Sequence, residues 1–148
     1  MHVYTFVEFA LLALFYKKLL NTQQSDKIIN WLIPSFLVIC VINVLYIQDL
    51  YTYNTYTKSI EALIILILAI TYFVKVLDKV EIEEKNVNVI TYINSGLLIY
   101  FSGSFIWFVI FNLTIGNVGL GVIMWSIHAT LLLILYILIA IALWKHKN

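Results

Sequence analysis

The amino-acid sequence predicts an all-α integral membrane protein, a bundle of five transmembrane helices. The prediction rests on the share of apolar residues, the length of the apolar runs and the shortness of the connectors between them. Of the 148 residues, 63% are hydrophobic and 11% are charged, whereas a soluble domain has about 45–50% apolar and about 25% charged residues. So many apolar side chains cannot be buried inside so small a globule, and most of them must face lipid.

Five apolar stretches are long enough to cross a bilayer, whose hydrocarbon core of about 30 Å requires about 20 mostly apolar residues in a helix. The first stretch holds Glu8, but it lacks the basic segment and the small-residue cleavage site of a signal peptide, so we predict that it also spans. Residues 1–148 therefore form one transmembrane domain. Its predicted spans are residues 2–20, 28–48, 60–77, 90–111 and 121–144.

The lysines predict the orientation of the bundle. All nine basic residues are lysines, and the positive-inside rule assigns the connectors that carry them to the cytoplasm. One side of the predicted bundle has only Lys58. We therefore expect the N-terminus outside and the C-terminus in the cytoplasm, since the other side carries Lys17, Lys18, Lys27, Lys75, Lys79, Lys85, Lys145 and Lys147.

The fourth predicted helix has a face of small residues. At 100° per residue, Ser95 lies nearly above Ser102 and Gly96 nearly above Gly103. Small residues at membrane helix interfaces allow two backbones to approach closely. These four residues are thus predicted to form a helix-packing face, which requires no chemistry of its own.

Four polar residues fall at similar depths in the outer half of the predicted bundle: Glu8, Asn43, Glu61 and His128. Ionisable side chains inside a membrane are costly and usually face protein or water. We therefore predict a polar pocket open to the outside, with Glu61 toward its mouth. Glu8 needs a partner or a proton, and His128 is the ionic partner that we expect at that depth.

Simpler interpretations of the same residues stay open. Glu61 and Asp49 fit solvated positions at the membrane surface, and His128 fits a core histidine bonded to a serine or a carbonyl. Glu8, Glu61 and His128 are scattered along the chain and make a weak metal-binding pattern, so we predict no metal and no cofactor. Nucleic acid is not an expected partner, because no basic stripe or zinc-finger spacing is present.

Five fragments, YTFVEF, YNTYTKSIEALI, INSGLLIYFSG, WSIHA and AIALWK, resemble a family of uncharacterised multi-helix membrane proteins of Bacteroidota that often lie near signalling genes. The resemblance runs along nearly the whole chain. It implies seven-helix relatives whose first two helices this chain lacks, so that either the chain is a truncated form or a partner chain or self-association completes the bundle. The family motif positions that it implies are Glu8, Asn54, Tyr56, Glu61, Asn94, Ser95, Gly96, Ser102, Gly103, His128 and Trp144.

These features favour a sensor or receptor-like module of the bacterial inner membrane that signals to a cytoplasmic partner protein. The connector DKVEIEEK is the expected contact, although it also fits a plain solvated connector. An intramembrane hydrolase would use Ser102 or Ser104 with His128 as base, but no oxyanion site is evident and we assign no catalytic residue. A small transporter subunit is a further alternative, although the sequence shows no inverted repeat.

Overall fold

The computed structural model describes residues 2–48, 54–78, 84–114 and 118–147. Nearly all of these residues are helical, and no strand occurs among them. Each apolar stretch predicted from the sequence lies within one helix, and most of the helices extend a few residues beyond the predicted spans. The helices are α1 (His2–Leu20), α2 (Gln23–Ile42, continued by a π-helical turn at Asn43–Ile47), α3 (Thr55–Asp78), α4 (Glu84–Thr114) and α5 (Val118–Lys147).

The helices pack as an open arc in the order α2, α1, α3, α4, α5. The most extensive contacts join α4 to α5 and to α3, and α1 packs on both α2 and α3. Along the helix axes, the bundle has two ends. The end nearest Glu8 and Lys58 is the lysine-poor end. The opposite end is the lysine-rich end, with Lys17, Lys27 and Lys75 at the ends of α1, α2 and α3.

Four of the helices are long and apolar enough to cross a membrane: those containing residues Gln23–Ile47, Thr55–Leu77, Val89–Phe111 and Gly119–Lys145. Many of their large apolar side chains are exposed on the outside of the bundle, as expected for helices that contact lipid. α1 is not among the four. Its 19 residues rise about 28 Å at about 1.5 Å per residue, and it carries Glu8, Lys17 and Lys18.

Aromatic and polar side chains hold α1 against its neighbours. Phe9 of α1 stacks on Phe36 of α2 with ring centroids 4.0 Å apart, and both rings are buried. Further along α1, the Tyr16 hydroxyl donates to Asn94 Oδ1 at 2.7 Å. Asn94 Nδ2 in turn donates to the Ala69 carbonyl oxygen at 3.1 Å. Asn94 therefore connects α1, α3 and α4 inside the core.

The glycines of the predicted packing face in α4 point at α5. A Cβ atom added at Gly103 would lie 2.2 Å from Leu131 Cδ1, and one added at Gly96 would lie 3.0 Å from Leu135 Cδ1. The two serines differ from the glycines. Ser95 is half-buried, whereas Ser102 is exposed and its hydroxyl donates to the Ile99 carbonyl oxygen of its own helix. The close approach of α4 and α5 therefore depends on Gly96 and Gly103, which we call the glycine column.

Candidate functional site

Three charged side chains meet near the lysine-poor end of the bundle. Lys58, in the first turn of α3, forms ion pairs with Glu8 of α1 and with Glu61, one turn further along α3. The distance from Lys58 Nζ to Glu61 Oε2 is 2.9 Å. We call Glu8, Lys58 and Glu61 the ionic triad. The first ion pair crosses between helices, and the second follows from the i,i+3 spacing that places two side chains on one helix face.

The ionic triad is unequal in charge and in exposure. Two carboxylates share one ammonium group, so that with all three groups ionised the cluster carries one negative charge in excess. The Glu61 side chain has 0% exposure, against 20% for Glu8 and 17% for Lys58. Among the described residues, Glu61 Oε1 has no hydrogen-bond partner. Lys58 Nζ also lies 5.1 Å from the centre of the Tyr4 ring, within cation–π range.

A network of amides and hydroxyls lies beside the ionic triad, at the ends of α1, α2 and α3. Asn54, just before α3, accepts a hydrogen bond from Asn43 Nδ2 at 3.1 Å and donates one to Thr5 Oγ1 at 3.2 Å. The Thr57 hydroxyl also donates to Asn54 Oδ1. Gln48 Nε2 donates to Thr55 Oγ1 at 2.9 Å, so that the network joins the ends of α1, α2 and α3.

A cavity of about 740 Å³ lies between α1 and α5, with α4 behind it and the start of α3 at one end. Glu8, Asn54 and Lys58 contribute polar groups to its wall. His128 reaches it from α5. The remaining wall is mainly aromatic and aliphatic, formed by Tyr4, Val7, Leu11, Leu12, Leu97, Tyr100, Phe101, Phe108, Trp125, Leu132, Leu135, Tyr136 and Ile139, with Thr5 beside them.

His128 belongs to a different group of side chains from the ionic triad. Its Nδ1 atom lies 3.2 Å from Ser104 Oγ. Its ring packs among those of Tyr100, Phe108 and Trp125, with centroid separations of 5.5, 5.8 and 6.1 Å. This is the serine-bonded environment that the simpler interpretation of His128 allows.

Of the four residues predicted to form one polar pocket, two line the cavity and two do not. Glu8 and His128 both line the cavity. Asn43 is buried in the amide network, and Glu61 is fully buried against Lys58 instead of lying toward a mouth. The simpler interpretation of Glu61 as a solvated residue does not fit its fully buried side chain. Asp49 lies outside the described residues.

The structure does not form the expected ion pair between Glu8 and His128. Glu8 pairs with Lys58. The sequence predicts that Lys58 lies in a connector, because Lys58 precedes the predicted third span. The helix α3 begins at Thr55, so that Lys58 is helical and its long side chain extends to Glu8. The sequence signal for the pair of Lys58 with Glu61 is their spacing, since residues three apart meet on a helix face.

No group of three or more histidine, cysteine, aspartate or glutamate side chains in the described part of the chain is arranged to hold a metal ion. Cys40 is buried and makes no disulfide. The described residues that line the cavity present charged side chains, aromatic rings and hydrogen-bonding groups.

The fold and the site together define a multi-pass helical membrane protein with a cavity between α1 and α5 that holds an ion-paired cluster at its polar end. Comparison with protein-family models, with curated proteins and with solved structures finds no match for the chain.

Proposed function

We propose that the chain is a sensor or receptor-like module of the bacterial inner membrane that binds a small molecule in the cavity between α1, α4 and α5. The observation that carries this proposal is the cavity of about 740 Å³ with the ionic triad at one end. Small-molecule pockets have volumes of about 300–1,000 Å³. The cavity is open on one side, since Tyr4 and Leu11 in its wall are 65% and 64% exposed, so a ligand can enter it.

In the proposed arrangement α1 is a fifth span and the lysine-poor end faces outside. α1 runs beside α2 and α3, and its length of about 28 Å approaches the thickness of the hydrocarbon core. The lysine-rich end is cytoplasmic by the positive-inside rule. A ligand would then reach the polar end of the cavity from the outer half of the membrane.

The energetic cost of the ionic triad supports a functional role for it. A charged side chain at the centre of a membrane helix costs about 2.5–3.5 kcal/mol, and a buried ion pair often stabilises a protein no better than apolar residues would. Glu61 lies six residues into α3, which starts at Thr55, or about 9 Å along the helix. Two carboxyl groups, those of Glu8 and Glu61, at such a depth are better explained by binding than by stability.

Signalling requires a partner, because the connectors are too short to form a cytoplasmic domain. The resemblance to seven-helix proteins of Bacteroidota supports either a second membrane chain or a homo-oligomer beside the bundle, together with a cytoplasmic signalling protein. Most of the connector proposed as the contact, DKVEIEEK, lies outside the described residues, so this part of the proposal rests on the sequence.

Ligand binding in the cavity can be tested by blocking it. Leu132 lines the cavity, whereas its neighbour Leu133 is 59% exposed and does not line it. The melting temperature of the purified protein should rise with some members of a panel of ten-carbon amphiphiles with different headgroups. The response should persist in Leu133→Trp and disappear in Leu132→Trp. Equal responses of the two variants, or no response of the unmodified protein, would contradict the proposal.

An intramembrane hydrolase is the second candidate, because Ser104 Oγ lies 3.2 Å from His128 Nδ1. Ser104 is fully buried, however, and it does not line the cavity, so a substrate carbonyl cannot reach its hydroxyl in this conformation. Ser102, the other predicted nucleophile, is exposed and bonded within its own helix. A fluorophosphonate probe that labels the protein but not Ser104→Ala would favour the hydrolase over the receptor.

A further inference from the structure

We propose that the cavity binds a ligand with an ammonium group, either a primary amine or a quaternary ammonium, attached to an apolar body. The proposal rests on the proposed function, since it names the ligand class of the same cavity. It follows from three features of the wall: the charge at its polar end, the aromatic rings beside that charge and the aliphatic surface beyond them.

The charge at the polar end favours a cation. Lys58 contacts the carboxyl groups of both Glu8 and Glu61, so the polar end holds two acidic side chains and one lysine. Glu61 is fully buried behind Lys58, whereas Glu8 lines the cavity. A ligand can therefore approach the carboxyl group of Glu8 from the cavity, and an ammonium group placed there would interact favourably with it.

The same arrangement disfavours an anionic headgroup such as a phosphate, a sulfate or a carboxylate. Of the described residues that line the cavity, Lys58 is the one lysine, and the sequence has no arginine. Its ammonium group already pairs with two carboxylates. An anion would have to displace a carboxylate from Lys58 and then lie beside that carboxylate, which places like charges together in a medium of low dielectric constant.

Aromatic rings line the cavity next to this charge. The faces of tyrosine, tryptophan and phenylalanine rings attract ammonium groups, and sites for quaternary ammonium ligands are commonly built from several such rings. The Tyr4 ring already has the Lys58 ammonium group 5.1 Å from its centre. The cavity wall also includes Tyr100, Phe108, Trp125 and Tyr136.

The aliphatic part of the wall accommodates the apolar body of the ligand. Leu11 and Leu12 of α1 face the cavity opposite Leu132 and Ile139 of α5. The lining residues of α5 extend from Trp125 to Ile139, about 21 Å at about 1.5 Å per residue. This length allows the ammonium group to reach the polar end while an extended hydrocarbon chain lies along the remainder.

The test compares three probes that share a ten-carbon chain: decyltrimethylammonium, decyl sulfate and decanol. Each is titrated into the protein in a neutral maltoside detergent, and Kd is measured from tryptophan fluorescence and from the melting temperature. We expect decyltrimethylammonium to bind at least tenfold more tightly than either of the other probes. Binding should be lost in Leu132→Trp and kept in Leu133→Trp, which separates the cavity from partition into the micelle.

Two pairs of variants identify the groups responsible. Glu8→Gln removes the carboxylate that faces the cavity but leaves the pair of Lys58 with Glu61, and we expect it to reduce the preference for the ammonium probe about tenfold. Asp26→Asn, which makes the same charge change in the first turn of α2, should leave the preference unchanged. Trp125→Leu should weaken ammonium binding severalfold, whereas Trp144→Leu, an exposed position on the same helix, should not.

The outcomes separate this proposal from the proposed function. Equal binding of all three probes, abolished by Leu132→Trp, would overturn the ammonium ligand and leave the cavity as a ligand site. Preferential binding of decyl sulfate would overturn the ligand class in the same way. If no probe binds, or if Leu132→Trp binds every probe as before, the proposed function fails as well. If Glu8→Gln does not fold, the loss of ammonium binding in Trp125→Leu tests the ligand class.

Discussion

At the scale of single residues, the position of Lys58 determines the chemistry of the site. A lysine in the first turn of a membrane helix can usually extend its ammonium group toward the interface. Here the ammonium group instead contacts Glu8 and Glu61, and it lies near the Tyr4 ring. The two carboxylates depend on one cation, so that the three side chains should respond very differently to substitution.

The first prediction concerns the free energy of unfolding of ionic-triad variants in detergent. Lys58→Met should lower it by about 3–5 kcal/mol, because removing one partner of a buried ion pair leaves uncompensated charge, and here two carboxylates are stranded. Glu8→Gln should cost less than about 1 kcal/mol, since Lys58 keeps Glu61 and the excess charge disappears. A denaturant titration followed by circular dichroism would measure both values.

A double-mutant cycle provides the control for this prediction. Glu8→Gln combined with Lys58→Met strands one carboxylate instead of two, so the double variant should be more stable than Lys58→Met alone. Lys27→Met, an exposed lysine in α2, should change stability by less than about 0.5 kcal/mol. If Glu8→Gln is as damaging as Lys58→Met, the two carboxylates do not compete for one cation.

At the scale of the helices, the glycine column sets the separation of α4 and α5. Lipid provides no hydrophobic drive for helix association, so that close packing itself must hold membrane helices together. A Cβ atom added at Gly103 would overlap Leu131 of α5, and one added at Gly96 would make a tight contact with Leu135. Gly121 in α5 differs, because a Cβ atom added there would meet nothing within 4 Å.

The second prediction uses this difference between glycines. Gly96→Leu and Gly103→Leu should each lower the free energy of unfolding by about 1–3 kcal/mol or more through overpacking. Gly121→Leu is the matched control and should stay within about 0.5 kcal/mol of the unmodified protein. Leu131→Ala should partly rescue Gly103→Ala, because Leu131 Cδ1 is the atom that the new Cβ would meet. Equal tolerance of the three leucine substitutions would mean that α4 and α5 do not pack through this column.

At the scale of the whole molecule, Asn94 connects three of the five helices. It accepts from Tyr16 of α1 and donates to the backbone of α3 while belonging to α4. Its side chain is fully buried, so no water replaces a bond that is lost. The middle of the arc is therefore held by polar contacts as well as by packing.

The third prediction is that Asn94→Leu lowers the free energy of unfolding by about 1–3 kcal/mol. Polar contacts between membrane helices contribute about 0.6 kcal/mol on average and at most about 1.7 kcal/mol, and two such contacts are lost. Tyr16→Phe should cost less, and little further loss should follow when it is added to Asn94→Leu. Ser102→Ala is the control, because this exposed serine bonds only within its own helix; an equal loss there would contradict the role of Asn94.

The fourth prediction concerns the orientation of the bundle. In a Cys40→Ala background, a cysteine at Gln24 beside the lysine-rich end should be shielded from an impermeant maleimide in intact cells. A cysteine at Tyr56, which is 50% exposed and precedes the predicted third span, should be labelled. Permeabilised cells should label both. Labelling of the Gln24 position alone in intact cells would reverse the orientation and place the cavity on the cytoplasmic side.

The sequence by itself determined the helical membrane class, the approximate extent of each helix and the presence of a carboxyl group, Glu8, within the apolar first helix. These properties depend on local composition, because an apolar run of about 20 residues can satisfy its backbone in lipid only as a helix. The sequence also predicts that Gly96 and Gly103 share one helix face, since successive residues are 100° apart.

Only the tertiary structure decided which polar groups meet. The partner of Glu8 depends on the rotation and relative depth of α1 and α3, and those are set by packing such as that of Phe9 on Phe36 and by the bonds of Asn94. They bring Lys58 to Glu8 and leave His128 beside Ser104. The cavity likewise has no local sequence signal, because it is the space that remains between α1 and α5 when each packs on other helices.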